Sequence, residues 1–165
     1  LGPQAQKTFD PLKNKSLKIF VATDLTKESR AVETYALSFA KKIKAEVILY
    51  HSISEHVESF KETAYVTTYG EFSVEEYKEE LISDIKKVLE SKKNQFKKNK
   101  VSCEFIIDSK NIPIGKSLIE YSKGCDFIFL GTQSQGAAIS AFIGSTLRYV
   151  LAVSKVSIVS VHKKY

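Results

Sequence analysis

Five short apolar runs punctuate the chain, and the stretches between them carry apolar residues at helical rather than consecutive spacing. The runs are residues 17–22 (LKIFVA), 46–52 (EVILYHS), 101–107 (VSCEFII), 126–130 (DFIFL) and 156–161 (VSIVSV). A short apolar run bounded by polar residues is the pattern of a strand buried on both faces, as in parallel sheets. Over residues 29–43, Val32, Tyr35, Ala36, Phe39, Ala40 and Ile43 share one helical face. Lys41, Lys42 and Lys44 at the end of that segment suit the negative pole of a helix. The longest amphipathic segment runs from Ser73 to about Asn99, with Val74, Tyr77, Leu81, Ile85, Val88 and Phe96 as its apolar stripe. Ser73 and Glu76, three residues apart, form a capping box at its start. Shorter helices are predicted over 115–123, after Pro113, and from about 145 to 153. Residues 53–72 are weakly periodic and read as a partly ordered surface loop.

The resulting order is β-α-β-α-β-α-β-α-β, with no internal repeat. Such alternation predicts an α/β fold: a three-layer α/β/α, doubly wound, five-stranded parallel sheet with right-handed crossovers. Ligands of such sheets sit beyond the carboxyl ends of the strands, where the strand order reverses. The ends here are Thr23-Asp24, His51-Ser52, Asp108, Gly131 and His162, all small or polar. Asp24 also suits a cap for the first helix, and His51 reads as a structural histidine.

Composition narrows the class. At 165 residues the chain suits one domain, which we place at 17–165. Residues 1–16, polar and holding Pro3 and Pro11, read as a flexible arm or linker. With no methionine anywhere, the chain reads as processed or trimmed, and as a candidate piece of a longer protein. No apolar run approaches the roughly 20 residues that span a bilayer, and no signal-peptide pattern opens the sequence. Cys103 and Cys125 fit no zinc or redox spacing and read as thiols in a reducing, cytoplasmic setting. The net charge of +6 owes much to Lys86, Lys87, Lys92, Lys93, Lys97, Lys98 and Lys100. These lysines lack the aromatic or arginine partners of a nucleic-acid surface and read as a solvated helix face.

The chemistry concentrates in residues 130–147, LGTQSQGAAISAFIGSTL. This is a strand end, a glycine, a small polar loop, a second glycine and a hydroxyl pair opening a helix. Gly131 and Gly144 remove side chains that would block a close approach to the backbone. Ser145 and Thr146 add hydroxyl donors at a helix N-terminus, where the dipole favours an anion.

This segment resembles the G-x2-G-x9-G-[ST] signature of the ATP-binding universal stress proteins. Gly131 matches the first glycine and Gly144-Ser145 the last pair, while Ser134 stands where the second glycine would be and Gly136 lies two residues beyond it. FVATDLTKES resembles the family's first strand and turn, AEVILYHSI its second strand, Ile112-Pro113 the turn after its third, and VSIVSV its last strand. The resemblance covers about residues 16–162 and implies a Rossmann-like sheet of the adenine-nucleotide alpha hydrolase-like type. It implies an ATP or AMP site at Ala22, Thr23, Asp24, Ser52, Leu130, Gly131, Gln133, Ser134, Gly144, Ser145 and Thr146. Magnesium would enter only through the phosphates, with no protein side chain as its ligand. It also implies a homodimer closed through strand 156–161, whose exposed edge otherwise invites association.

Three functional readings follow. The first is a nucleotide-binding regulatory domain in stress response, with at most slow ATP hydrolysis, because no nucleophile elbow, P-loop or dinucleotide fingerprint is present. The second is a dimeric interaction module of the same family without nucleotide, such as a domain cut from a transporter. The third is a phospho-receiver using Asp108, Thr132 and Lys163. Its first strand ends in one acid rather than two, and its second and third strands lie about fifty residues apart, both unlike a receiver.

Overall fold

The computed structural model describes residues 16–66, 73–132 and 144–162. In chain order the elements are β1 (Lys18–Ala22), α1 (Arg30–Ile43), β2 (Glu46–Ser52), α2 (Ser54–Val66) and α3 (Val74–Lys98). Then follow β3 (Cys103–Asp108), α4 (Ile114–Tyr121), β4 (Phe127–Gly131), α5 (Ser145–Val153) and β5 (Ser157–Val161). The five apolar runs are the five strands. They pair in parallel in the order β3-β2-β1-β4-β5. The winding reverses between β1 and β4, so the carboxyl ends of those two strands flank a natural opening.

Alternation along each strand sends successive side chains to opposite faces. On one face Ile19, Val21, Val47, Leu49 and Phe129 pack with Val32, Ala36 and Ala40 of α1 and with Ile85, Leu89 and Phe96 of α3. On the other, Phe20, Tyr50, Ile128 and Leu130 pack with Leu118 of α4 and with Leu147 and Val150 of α5. Each of the Val, Leu, Ile and Phe side chains among these contributes about 1.5–3 kcal/mol by leaving water. Cys103 belongs to the first layer and Cys125 borders the second. Burial first, and the Glu104 charge after it, push the Cys103 thiol up to about 12.

The capping box of α3 is present: Ser73 accepts from the Glu76 backbone N–H at 3.1 Å, and the Glu76 carboxylate accepts from the Ser73 N–H at 3.1 Å. Two sequence expectations are corrected. Residues 54–66 are a helix, not a loop. Ile53 and Val57 are buried, and Phe60 stacks on Tyr77 of α3 at 4.0 Å between ring centres. Three apolar contacts spaced four and three residues apart thus hold α2 in place, too few to register as a periodic stripe. Within α3 it is Leu89 that is fully buried, whereas Val88 faces solvent. The remaining residues of the expected 53–72 loop, 67–72, lie outside the described residues, as does the arm before residue 16.

Asp108 ends the edge strand β3 with two strands between it and β4. At about 4.8 Å per strand step, it stands roughly 14 Å from Thr132. Asp108 is moreover buried and engaged: Tyr50 donates to Oδ2 at 2.6 Å, Ser117 donates to the same oxygen, and the Lys110 N–H donates to Oδ1 at 3.0 Å. The receiver reading therefore fails; its third member, Lys163, lies outside the described residues.

Candidate functional site

A cleft of about 270 Å³ opens where the winding reverses. Ala22, Thr23 and Asp24 line it from the end of β1, Ser52 from the end of β2, and Leu130 and Gly131 from the end of β4. Gly144, Ser145 and Thr146 line it from the start of α5. Nine of the eleven site residues read from the sequence are therefore brought to one cavity. The other two, Gln133 and Ser134, lie outside the described residues together with Gly136.

The turn between β1 and α1 is tightly tied. Asp24 Oδ1 accepts from the Thr26 N–H at 3.0 Å and from the Thr26 hydroxyl at 2.6 Å, a local Asx turn. Asp24 thus caps this turn rather than α1, whose N-cap residue is Ser29. Leu25 adopts φ +62°, a left-handed conformation unfavourable for a branched side chain. Its N–H donates to Thr23 Oγ1 at 3.1 Å, which offsets part of that cost. The Thr23 hydroxyl donates to Glu33 Oε1 at 2.6 Å, and Glu33 Oε2 in turn accepts from Lys92 at 2.5 Å. Glu33 is buried. The sequence reading missed this pair, although a glutamate beside Val32 and Ala36 on the apolar stripe of α1 is the signal that could have found it.

His51 is 3% exposed and lines the cleft beside Thr23. Its Nδ1 lies 2.9 Å from the Thr23 carbonyl oxygen, an acceptor, so Nδ1 carries the proton. Burial, as the largest influence, holds its pKa below the usual histidine value, and the nearby His56 acts in the same direction. The ring is therefore neutral near pH 7. That bond ties the ring to the residue after β1, while Nε2 is buried without a hydrogen-bond partner among the described residues. Among the described residues, no group of three His, Cys, Asp or Glu side chains could hold a metal ion.

Gly144 precedes α5 with φ −55° and ψ 152°, a conformation open to any residue. A Cβ built there meets no heavy atom of the described residues within 4 Å. Neither backbone strain nor packing among the described residues requires glycine at 144; what it leaves is space at the mouth of the cleft, next to the first N–H groups of α5, which have no partner within the helix. At the far side, Thr132 Oγ1 lies 2.9 Å from His162 Nδ1, joining the ends of β4 and β5. No described helix is long and apolar enough to cross a membrane.

Comparison with solved structures recovers the same architecture. The hypothetical protein MJ0577, solved as a test case of structural genomics, is 22% identical with a TM-score of 0.69. The match covers 90% of this chain and 97% of that one. The universal stress protein UspA of Lactobacillus plantarum is 16% identical with a TM-score of 0.67, over 90% and 99% of the two chains. The universal stress protein of Archaeoglobus fulgidus, solved in complex with dAMP, is 16% identical with a TM-score of 0.60, over 87% and 96%. No curated protein matches the chain significantly. The universal stress protein family matches residues 16–162, nearly the whole chain, and the chain belongs to that family.

Proposed function

We propose that this chain is an adenine-nucleotide-binding regulatory domain, taking AMP or ATP in the cleft between β1 and β4. The observation that carries this reading is the open space at Gly144, set against the amide-bearing N-terminus of α5 in a cleft of nucleotide scale. Phosphates would meet the Ser145 and Thr146 hydroxyls and main-chain N–H groups there. Asp24 has one carboxylate oxygen committed to Thr26, which leaves the other to accept from sugar hydroxyls. Gly131, Gln133 and Ser134 would complete the phosphate side, with Ala22, Ser52 and Leu130 against the base. Magnesium, where it accompanies ATP, would be held by phosphate oxygens. The dAMP complex of the Archaeoglobus fulgidus relative supports a nucleotide of this class. On this reading the role is binding and signalling in the cytoplasm, with at most slow ATP hydrolysis.

Calorimetry with AMP and with ATP plus magnesium tests the reading. A ligand at a hundred times its Kd stabilises by about 2.7 kcal/mol, roughly 5–10 °C in Tm for a chain of this size. Absence of both heat and thermal shift at millimolar nucleotide would overturn it.

We propose also that β5, an open sheet edge, pairs with its copy in a homodimer. Leu151 and Val153 are exposed on α5, and Tyr35 is exposed on α1, the helix that packs on the other side of the sheet. Light scattering is expected to give twice the chain mass at micromolar concentration, and Leu151→Glu to shift the protein toward monomer. A monomeric parent protein would refute the pairing.

A further inference from the structure

The cleft does not stand on its lining residues alone. Glu33 and Lys92 form an ion pair between α1 and α3, 59 residues apart in sequence, with side chains 9% and 16% exposed. Burying two opposite charges costs nearly as much desolvation energy as their attraction returns, so such a pair is a poor device for stability alone. It does offer direction. Glu33 has two oxygens: Oε2 receives Lys92 at 2.5 Å, and Oε1 receives the Thr23 hydroxyl at 2.6 Å. Thr23 is the residue before Asp24. Its other groups are fixed as well, the N–H on the Tyr50 carbonyl at 2.9 Å and the carbonyl by the His51 ring at 2.9 Å. Its Oγ1 also receives the Leu25 N–H, which sits in the left-handed conformation. Rotation of the Thr23 side chain would therefore release the strained turn that presents Asp24 to the cleft.

From this chain of contacts we infer that Glu33 and Lys92 are positioning residues: Lys92, from α3, holds Glu33, and Glu33 holds the Thr23–Leu25 turn in its ligand-ready shape. The charge of Lys92 has a second consequence. Without it, a buried carboxylate would stand one residue behind a cleft that we read as taking phosphate anions, and like charges repel most where water is excluded. The effect on nucleotide rests on the adenine-nucleotide reading above; the effect on the turn does not.

The decisive measurement is amide hydrogen exchange at Thr26, whose N–H donates to Asp24 within the turn, referenced to amides in the interior of β2. In Lys92→Met, exchange at Thr26 is expected to rise about tenfold relative to that reference. Lys92→Arg, which still donates to Glu33, is expected to keep the parent ratio. The double variant Glu33→Gln/Lys92→Met, which keeps an acceptor for Thr23 and leaves no unpaired charge, is expected to recover most of it. A purely structural ion pair would speed Thr26 and the reference amides together. If Lys92→Met does not fold, Glu33→Met, which removes the acceptor of the Thr23 hydroxyl but leaves Thr23 Oγ1 to receive the Leu25 N–H, is read in the same way. AMP affinity of Lys92→Met is expected to fall about tenfold, with adenosine affected less because it carries no phosphate. Parent-like exchange at Thr26 in Lys92→Met, or in Glu33→Met where that variant replaces it, overturns the inference. A parent protein that binds no AMP overturns the functional reading, and the exchange ratio still decides the positioning role.

Discussion

Asp108→Ala is expected to cost the fold about 3–5 kcal/mol, the largest loss from any single polar residue among those described. Asp108 is 1% exposed, and three donors converge on its carboxylate from β2, α4 and the turn after β3. Truncation leaves the Tyr50 and Ser117 hydroxyls buried beneath α4 with nothing to donate to, which is costlier than never having had the bonds. For a domain of this length the loss lowers Tm by about 10 °C or more. Asp108→Asn should cost less: its amide oxygen can replace the doubly used Oδ2, but its NH2 group then faces the Lys110 N–H, donor against donor.

The same site has a pH signature. Burial by itself would raise the Asp108 carboxyl, but the hydrogen bonds from Ser117, Tyr50 and the Lys110 N–H outweigh burial and hold its pKa below the ordinary value. Burial first, and the bond to Asp108 after it, push the Tyr50 phenol up, so it remains a donor at any working pH. A carboxyl whose pKa is lower folded than unfolded stabilises fully above its unfolded value, about 3.9. That stability is lost as the pH falls through the folded value. Urea unfolding at pH 7 and pH 3 should therefore show the gap between the parent and Asp108→Asn narrowing in acid. A gap that stays constant, or an Asp108→Ala variant within 1 kcal/mol of the parent, contradicts this account of the network.

How much of this could be read before folding depends on whether a residue's role is local. The strands were legible because a run such as LKIFVA has no stable place except between two covered faces. The capping box of α3 was legible because both partners lie within one turn. α2 was not: its hold on the fold comes from Ile53, Val57 and the Phe60 stack on Tyr77, and the last of these is a tertiary contact. Within α3, Val88 and Leu89 are chemically alike, and only the position of the sheet decides which one is buried. Asp108 and Glu33 show the limit most clearly. Each is an acid beside apolar residues in sequence, and one partner of each, Tyr50 and Lys92, stands 58 and 59 positions away. The cleft residues from β1, β2, β4 and α5 were named from their resemblance to the universal stress protein signature and strands, and the sheet order brings them to one cavity.

Gly144→Val is expected to separate binding from folding. Most glycines in loops are retained for their backbone freedom, and replacing them strains the chain. Gly144 is different, because at φ −55° and ψ 152° a β-branched residue sits without strain. A Cβ there has no heavy atom of the described residues within 4 Å to meet. Restricting the unfolded chain at this position should even add a few tenths of a kcal/mol to stability. The side chain would instead occupy the mouth of the cleft, covering the α5 amides that the phosphate reading needs. Gly144 is also the N-cap of α5, a position valine fills less well than glycine, so Tm should fall by no more than about 2–4 °C, far short of unfolding. Calorimetry should show AMP affinity reduced at least about thirtyfold, equivalent to roughly 2 kcal/mol. Gly144→Ala, with a single methyl, should fall between. If the valine variant binds AMP as the parent does, the phosphate does not pass Gly144, and the N-terminus of α5 is not its seat. If it unfolds, the glycine is needed for conformation after all, and the claim that it is kept for room is wrong.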